Sequence, residues 1–268
     1  MSNDAASVPT ASVPDEPGGD VSARRFSDVL ASVAHVEGWM TPAQARWLWD
    51  RASVLRAPAT VVEIGSYRGR SAIVLASAAA AGVEVVAIDP HGGNDRGPQQ
   101  IKAVPEEGQR DNEAFNANLA AAGVADRVHH VRRPSQEALD AVEGPIDLLY
   151  IDGAHRYAPA RDDIRRWGDR VADGGTLLIH DSFSSVGVTL AIMATLFFGA
   201  RFRYLGRTTS MTAYRCERLD LADRGRNALS QAAQLPWFAR NVVIKALILA
   251  KLDSVARLLG HRDQVWPH

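Results

Sequence analysis

The chain has very little cysteine and almost no excess charge. Cys216 is the single cysteine among 268 residues, so no disulfide can form within one chain and a reducing, cytoplasmic compartment is expected. The net charge of -1 gives no electrostatic reason to expect a nucleic-acid partner. No uncharged apolar run reaches the roughly 20 residues that a transmembrane helix needs, and no basic segment leads into an apolar stretch as in a secretory leader.

The remaining composition is that of an ordinary globular protein, with 46% hydrophobic and 23% charged residues. Local composition and apolar periodicity divide the chain into four regions. We predict a disordered tail over 1–20, a helical lid over 21–57, a central domain over 58–216 and a helical extension over 217–268.

Strands and helices alternate along the central domain. The predicted strands are Thr60–Ile64, Glu84–Ile88, Val128–Arg132, Ile146–Ile151 and Gly175–His180. The predicted helices between them are Ser71–Ala81, Glu113–Ala122, Ser135–Ala141 and Ala158–Val171. A helix at Val188–Phe198 and two strands at Arg201–Leu205 and Ser210–Arg215 are predicted to follow. This order favours a Rossmann-like, doubly wound α/β fold, with a mostly parallel seven-stranded sheet closed by an antiparallel C-terminal hairpin.

The most informative segment is 61–71, where an apolar strand ends in an acidic residue and a glycine-spaced turn leads into a helix. Such a strand, turn and helix hold nucleotide-bearing cofactors in Rossmann-like folds, and the glycines let the backbone approach the ligand. Glu63 stands two residues before Gly65, at a position that dinucleotide sites usually keep apolar. A carboxylate there suits a cofactor with positive charge, such as the sulfonium and amino groups of S-adenosylmethionine.

Three further residues are candidates for contact with this cofactor. Asp89 ends the second strand, where it can accept both ribose hydroxyls of an adenosine, in NAD as in S-adenosylmethionine, or simply form a turn. His91 begins a long polar loop, 91–110, of a kind that usually serves as a lid or binding loop, so it could contact the substrate or the methionine end. Ser135 is expected to cap the next helix, and it could also lie beside the adenine.

Two aspartates end neighbouring predicted strands. Asp152 and Asp181 therefore lie together at the carboxyl edge of the sheet, where open α/β sheets bind ligands. Because two carboxylates in one cleft repel each other, a divalent cation such as Mg²⁺ is expected between them; otherwise Asp152 only supports the cofactor. His180 is either a further ligand or a strand-end residue. His155 can reach this cleft, either to take a proton from a metal-bound hydroxyl or to make a structural hydrogen bond.

Four segments together resemble class I S-adenosylmethionine-dependent methyltransferases. They are 63–71, 88–90, 151–155 and 173–181, and the resemblance covers about residues 58–216. More narrowly, these segments resemble the bacterial small-molecule and sugar O-methyltransferases that carry an Asp-Gly-x-His segment. The cofactor-binding residues expected on this basis are Glu63, Gly65, Ser66, Tyr67, Gly69, Ser71, Asp89, Pro90, His91, Pro134, Ser135 and Asp152.

The resemblance also implies a metal-assisted reaction at a hydroxyl group of a small molecule or glycan. Catechol-type O-methyltransferases hold Mg²⁺ with two aspartates and an asparagine, and a lysine is the base. By position, Asp152 and Asp181 match those aspartates and His155 matches the lysine. Ser182 stands where the asparagine would be, and His180 stands where cephalosporin-hydroxylase-like relatives have an acid. The implied catalytic residues are His155 and Asp152, and the implied metal ligands are Asp152, Asp181 and His180.

Two other functions stay open at this point. A catalytically inactive, S-adenosylmethionine-binding accessory protein is one, although the intact Asp152, His155 and Asp181 argue against it. An NAD-dependent oxidoreductase is disfavoured by Glu63 and by the absence of a third closely spaced glycine. The apolar segment Trp237–Leu259 is expected to be a helix that packs on the core or on a second copy in a homodimer. The other interpretation is a helix that lies on a membrane surface.

Overall fold

The computed structural model describes residues 24–94, 102–252 and 254–255, so the predicted tail over 1–20 lies outside the described residues. The strands are β1 Thr60–Ile64, β2 Glu84–Ile88, β3 Val128–Val131, β4 Ile146–Ile151, β5 Val171–Ile179, β6 Phe202–Thr208 and β7 Met211–Cys216. The α-helices are α1 Phe26–Ser32, α2 Pro42–Ser53, α3 Arg70–Ala78, α4 Pro105–Ala121, α5 Tyr157–Gly168, α6 Val186–Thr195, α7 Leu221–Ala232 and α8 Leu235–Leu249.

The strands form one seven-stranded sheet in the order β3-β2-β1-β4-β5-β7-β6. Strands β1 to β5 pair in parallel, and β7 pairs antiparallel with both β5 and β6. The predicted mostly parallel sheet with an antiparallel C-terminal hairpin is confirmed. The strand order reverses between β1 and β4, which is the position where doubly wound sheets open a ligand crevice.

Both faces of the sheet are covered, and this explains why its strands are continuous apolar runs rather than alternating ones. On β1, Val61 faces the core layer formed with α1, α2 and α3. Its neighbours Val62 and Ile64 face the layer formed with α5 and α6. Each of these three side chains is at most 3% exposed, so the end of β1 is held rigidly from both sides.

The N-terminal helices pack on the α3 side of the sheet. Thr41 caps α2 with a reciprocal capping box, in which its hydroxyl accepts from the Gln44 backbone and the Gln44 side chain accepts from the Thr41 N–H. The Gln44 amide also donates to Ser210 Oγ, 3.1 Å away, at the β6–β7 turn. This buried hydrogen bond fastens α2 to the C-terminal hairpin.

Two predicted helices differ from those observed. The predicted helix Ser135–Ala141 is wrong, because the segment forms two short 3₁₀ turns, Ser135–Glu137 and Leu139–Ala141. Conversely, α4 begins at Pro105, eight residues before the predicted start, with a proline and two acidic residues in its first turn. The predicted lid loop 91–110 is correspondingly shorter, and part of it, 95–101, lies outside the described residues.

The helix α8 packs on the core along one side, as one interpretation of Trp237–Leu259 predicted, but it ends at Leu249. Residues 253 and 256–259 of that segment lie outside the described residues. Ile244 and Asn241 are fully buried, whereas Val243 and Leu249 are about half exposed or more. Within the described residues, no helix combines the length and the apolar character needed to cross a bilayer. Contact with a membrane surface and a homodimer both stay predictions.

Candidate active site

A cleft of about 880 Å³ lies at the carboxyl edge of the sheet, within the size range of small-molecule sites. The turns after β1, β2, β4 and β5 form its floor, and the α1–α2 connection and α8 contribute to its walls. The predicted site residues that line it are Gly65, Ser66, Tyr67, Ser71, Asp89, Pro90, His91, Pro134, Ser135, Asp152, His155, His180 and Asp181. Glu63 and Gly69 lie beneath the surface of the cleft and are not among its lining residues.

The glycine turn is held in shape by the carboxylate of Asp89. One oxygen, Oδ2, accepts hydrogen bonds from the backbone N–H groups of Ser66 and Tyr67, at 3.0 and 2.8 Å. The other, Oδ1, accepts from the N–H of His91 at 2.7 Å. Three hydrogen bonds to a carboxylate are strong contacts, so Asp89 fixes the turn against the end of β2. Its predicted contact with a ribose would be made by the same two oxygens.

Gly65 is required where the ends of β1 and β4 meet. Its φ of +86° is in the left-handed region, and a Cβ built on it would overlap the carbonyl oxygen of Asp152. A backbone hydrogen bond from Asp152 N to Ile64 O at 2.8 Å joins the same ends, and one from Gly65 N to Ile88 O at 2.9 Å joins the end of β1 to that of β2. The missing side chain therefore lets one strand end approach another, whereas the sequence suggested that it makes room for the ligand.

Glu63 has no hydrogen-bond partner for either carboxylate oxygen among the described residues, although its side chain is fully buried. Burial raises its pKa to about 8, and the nearby hydroxyls of Ser71 and Ser66 offset only part of that effect. An unpaired carboxyl beneath the glycine turn fits a cofactor that brings a positive charge to this turn, as S-adenosylmethionine does.

Three residues around the cleft have left-handed backbone conformations without being glycine. The φ angles of Tyr67, His91 and Asp181 are 44°, 47° and 55°. Such conformations are costly for residues with a side chain and concentrate at functional sites. At His91 the ring nitrogen Nε2 shares a hydrogen bond of 2.8 Å with Tyr67 O, so the loop after β2 is tied to the glycine turn.

Asp152, His180 and Asp181 come together at the ends of β4 and β5, as the sequence predicted. Each offers one atom that could hold a metal ion, and these three atoms all lie within 4.8 Å of one another. The Nδ1 atom of His180 is 3.2 Å from Asp152 Oδ1 and 3.4 Å from Asp181 Oδ2, but neither contact has hydrogen-bond geometry. Tyr150 donates its hydroxyl hydrogen to Asp152 Oδ2 at 2.9 Å.

His155 reaches the same cluster and makes a short hydrogen bond through Nε2 to Asp181 Oδ2. Burial lowers the pKa of His155, but this bond and the charge of Asp181 outweigh it, so the pKa is raised above its usual value. Burial also opposes protonation of His180, yet the charges of Asp152 and Asp181 raise its pKa well above 6.5. Both histidines thus lie against the two carboxylates, which favour their protonated forms.

The position of α6 is fixed by a close contact with the loop that carries His155. A Cβ on Gly187, in the first turn of α6, would overlap the carbonyl oxygen of His155. Ser185 donates its hydroxyl hydrogen to the same oxygen at 3.2 Å. The backbone of His155 is therefore held between the β4 end and α6, which fixes where its side chain enters the cleft.

Comparison with known proteins identifies the segment that carries this site. Residues 62–182, from within β1 to just past Asp181, match a family of methyltransferase domains. We call this segment the methyltransferase domain, after the family that it matches. The match includes the glycine turn, Asp89 and the whole Asp152–His155–Asp181 group, and it leaves out α1, α2, the hairpin and both C-terminal helices.

Two curated proteins are similar to about half of this chain. The catechol O-methyltransferase of Mycobacterium tuberculosis is 31% identical over 149 residues, which are 55% of this chain and 58% of that protein. An uncharacterized protein, y4gI of Sinorhizobium fredii, is 28% identical over 130 residues, which are 47% of this chain and 13% of that protein. The chain therefore spans less than two thirds of the length of either relative.

Solved structures share the fold of the methyltransferase domain. The methyltransferase PaMTH1 of Podospora anserina, bound to SAH, superposes with a TM-score of 0.53 at 19% identity, over 75% of this chain and 90% of its own. The cofactor-bound Rv0187 from MTB gives 0.52 at 22% identity, over 75% and 92%. At these identities the likeness shows the fold, and the predicted class I methyltransferase fold is confirmed.

The sequence interpretation missed several residues that line the cleft, and Asp163 is one of them. Asp163 on α5 accepts hydrogen bonds from Ser135 Oγ at 2.5 Å and from the Gln136 side chain at 3.3 Å. The hydroxyl of Ser135 therefore bonds to Asp163, and the prediction that it caps a helix is wrong. Burial raises the pKa of Asp163 to about 6, against the opposing effect of that bond. The sequence did offer one signal of a buried carboxylate, because Asp163 stands next to Ile164 on the apolar side of α5.

A second missed residue, Lys245 on α8, lies outside the methyltransferase domain and still lines its cleft. Its Nζ donates hydrogen bonds to Ser184 O at 3.0 Å and to Ser184 Oγ at 3.2 Å. The sequence showed Lys245 only as an interruption of an apolar helix. Nothing local could show that this helix folds back to the end of β5.

Proposed function

We propose that the chain is an S-adenosylmethionine-dependent methyltransferase that methylates a hydroxyl group of a small molecule or glycan. The observation that carries this proposal is the placement of His155, paired with Asp181, in the same cleft as the glycine turn of a methyltransferase domain. A proton acceptor and a cofactor cradle in one cleft are what transfer to a hydroxyl oxygen requires.

The cofactor site is proposed along the turns after β1, β2 and β3. Asp89 would hold the ribose, Ser66 and Ser71 would surround the methionine portion above Glu63, and Ser135 would lie beside the adenine. When bound, S-adenosylmethionine supplies an electrophilic methyl group on a sulfonium ion. The turn itself is already shaped by the three hydrogen bonds to Asp89, so little ordering is needed on binding.

His155 is proposed to take the proton of the acceptor hydroxyl. Its hydrogen bond to Asp181 orients the imidazole, and the carboxylate stabilises the imidazolium that forms. The contacts of the His155 backbone with α6 hold the loop that carries this imidazole. Alignment of donor and acceptor then provides most of the remaining rate enhancement.

A divalent cation is proposed at Asp152, Asp181 and His180, where it would lower the pKa of the acceptor hydroxyl. Two carboxylates and one imidazole within 4.8 Å form a donor set that suits such an ion. His180 must be neutral to coordinate a metal, and its raised pKa means that metal binding would release a proton. Binding should therefore strengthen as the pH rises.

Cofactor binding tests the first part of the proposal. Calorimetric titration of the protein with S-adenosylmethionine should give a dissociation constant that rises at least about 100-fold in Asp89→Ala, because a charged hydrogen-bonding group is lost. Asp126→Ala removes an exposed aspartate and serves as the matched control. Equal affinity in the wild-type protein and Asp89→Ala would rule out the cofactor assignment.

Metal removal tests the second part. Methyl transfer from labelled S-adenosylmethionine should be lost in EDTA and restored by Mg²⁺ or Mn²⁺. Activity that is indifferent to EDTA would eliminate the metal and leave the His155–Asp181 pair as the proposed base. Cofactor binding without any methyl transfer, in a broad screen of hydroxyl acceptors, would instead favour the accessory-protein alternative.

A further inference from the structure

The carboxylate of Asp163 is held at the edge of the cleft by the helix that carries it. Trp167 lies one turn further along α5, is fully buried, and donates its indole N–H to Ser135 O at 3.1 Å. Because residues i and i+4 lie on one side of a helix, Asp163 points toward the same loop after β3. Asp163 is only 3% exposed and still lines the cleft. The loop and α5 therefore keep this carboxylate in one orientation.

The two oxygens of this carboxylate have different surroundings. Oδ1 accepts hydrogen bonds from Ser135 Oγ at 2.5 Å and from Gln136 Nε2 at 3.3 Å. Oδ2 accepts none from the part of the chain that the structure describes, and unlike the carboxylate oxygens of Glu63 it keeps contact with solvent. It lies beside Gly153 in the cleft lining, since a Cβ built on that glycine would be 3.5 Å from Oδ2. The absence of a side chain at 153 leaves room for a ligand beside this oxygen.

The hydroxyl of Ser135 cannot serve as a hydrogen-bond donor to a ligand in this arrangement. It has only one hydrogen, and its bond to Asp163 uses it. The group that this part of the cleft offers to an adenine is instead an acceptor, Oδ2 of Asp163. Burial raises the pKa of Asp163 only to about 6, so at neutral pH the acceptor is mostly an ionised carboxylate.

On the basis of the proposed function, we propose that Asp163 accepts a hydrogen bond through Oδ2 from the 6-amino group of the cofactor's adenine. Asp163 is a specificity-determining residue, because it selects a purine with an amino group at position 6 over one with an oxygen there. An amino group donates to the carboxylate, whereas a 6-oxo group would place two acceptors against each other. Ser135 and Gln136 are positioning residues, since they act by orienting Asp163.

Two ligands that differ at one position of the purine test this inference on the full chain. S-adenosylhomocysteine has an amino group at position 6, and S-inosylhomocysteine has an oxygen. Calorimetric titration at pH about 8, where Asp163 is ionised, should show that the wild-type protein binds the amino form at least about tenfold more tightly. In Asp163→Asn the amide keeps an oxygen for Ser135 and Gln136 and turns its N–H groups to the cleft. The preference should therefore reverse in favour of the 6-oxo form.

Two controls separate this role from support of the loop alone. Asp169→Asn makes the same substitution at an exposed position just after α5 and should leave the ratio of the two affinities unchanged. Ser135→Ala removes a donor to Oδ1 but leaves Oδ2 in place. It should weaken the binding of both ligands by similar factors and keep the preference for the amino form.

The outcomes also separate this inference from the proposed function. Equal binding of the two ligands by the wild-type protein would overturn the role of Asp163, and this comparison stands even if Asp163→Asn does not fold. The role is equally overturned if Asp163→Asn keeps the wild-type preference or weakens both ligands by the same factor. If the wild-type protein binds neither S-adenosylhomocysteine nor S-adenosylmethionine, the proposed function itself fails.

Discussion

The two halves of the cleft are built in different ways. The cofactor half, defined here as the turns after β1, β2 and β3, is shaped mainly by backbone groups that hydrogen-bond to Asp89. The acceptor half, defined as the turns after β4 and β5 with α6 and α8, is shaped by side chains that converge from four separate elements. The first half depends on one carboxylate, whereas the second depends on the relative placement of distant segments.

The halves also differ in how they treat buried charge. In the cofactor half, Glu63 has no hydrogen-bond partner among the described residues and its pKa is raised to about 8, so the site is poised for an incoming cation. In the acceptor half, Asp152 and Asp181 already face His155 and His180. One half holds a buried carboxyl without a hydrogen-bond partner among the described residues, whereas the other already sets its carboxylates against imidazoles.

The largest expected effect separates catalysis from cofactor binding. His155→Gln removes the proposed base from the acceptor half, so kcat should fall roughly 10²–10⁴-fold. The affinity for S-adenosylhomocysteine should change by less than about twofold, since no hydrogen bond to the glycine turn is lost. Steady-state kinetics and calorimetry measure the two quantities. His129→Gln, at an exposed position on β3, is the control. A parallel loss of kcat and cofactor affinity would show that the two halves are not independent.

The second effect concerns Gly65, where the end of β1 in the cofactor half meets the end of β4 in the acceptor half. Gly65→Ala should destabilise the fold by about 3 kcal/mol or more, because it adds a strained backbone conformation and an overlap with Asp152 O. Gly144→Ala is the matched control, with a φ of +70° and no atom within 4 Å of the added Cβ, and should lose only about 1 kcal/mol. Urea denaturation measures both. Equal losses would mean that backbone strain alone explains the glycine.

The sequence predicts the cofactor half well because that half depends on local order. A strand, a glycine turn and a helix occur within one continuous segment, and β1, β2 and β4 begin and end where the apolar pattern predicts. Asp89 and Asp152 follow directly, since each comes after a strand that pairs with β1. The same logic placed Asp181 beside Asp152, and the structure agrees.

The acceptor half resisted prediction because its contacts join residues that are far apart in the chain. Lys245 and Ser184 are separated by 61 positions, and no local pattern encodes their contact. The same difficulty occurs once in the cofactor half, where Asp163 meets Ser135 across 28 positions and that bond replaced the helix cap that the local pattern suggested. A serine after a proline satisfies the cap rule, but the rule cannot see a carboxylate that arrives from another helix.

The third effect is the release of a proton from Glu63, in the cofactor half, when the cofactor binds. With a pKa of about 8, Glu63 holds a proton at neutral pH, and a sulfonium or ammonium placed nearby lowers that pKa. Binding of S-adenosylmethionine at pH about 7 should therefore release a substantial part of one proton. Calorimetry in two buffers of different ionisation enthalpy measures this release, which should be smaller for S-adenosylhomocysteine because it lacks the sulfonium. An unchanged release in Glu63→Gln would assign the proton to another group.

The smallest effect tests whether the cofactor half carries a second protonated carboxyl, at Asp163. Its pKa rises from 3.8 to about 6 on folding, so the protonated form is favoured in the native state. Its stabilising contribution is complete below pH about 4 and is lost as the pH rises through about 6. Between these limits, the stability of the wild-type protein relative to Asp163→Asn should fall by about 1–2 kcal/mol, since residual solvent contact screens part of the shift.

Denaturation at a series of pH values measures this difference, and the neighbouring Asp162→Asn provides the control. Asp162 pairs with Arg161 at the surface of the same helix, so its replacement should give a difference that hardly changes with pH. If Asp163→Asn behaves in the same way, the carboxyl of Asp163 is ionised in the native protein. Ser135 would then donate to an ionised carboxylate. The cofactor half would hold an ionised carboxylate, as the acceptor half does, and this would contradict the difference between the halves that Glu63 indicates.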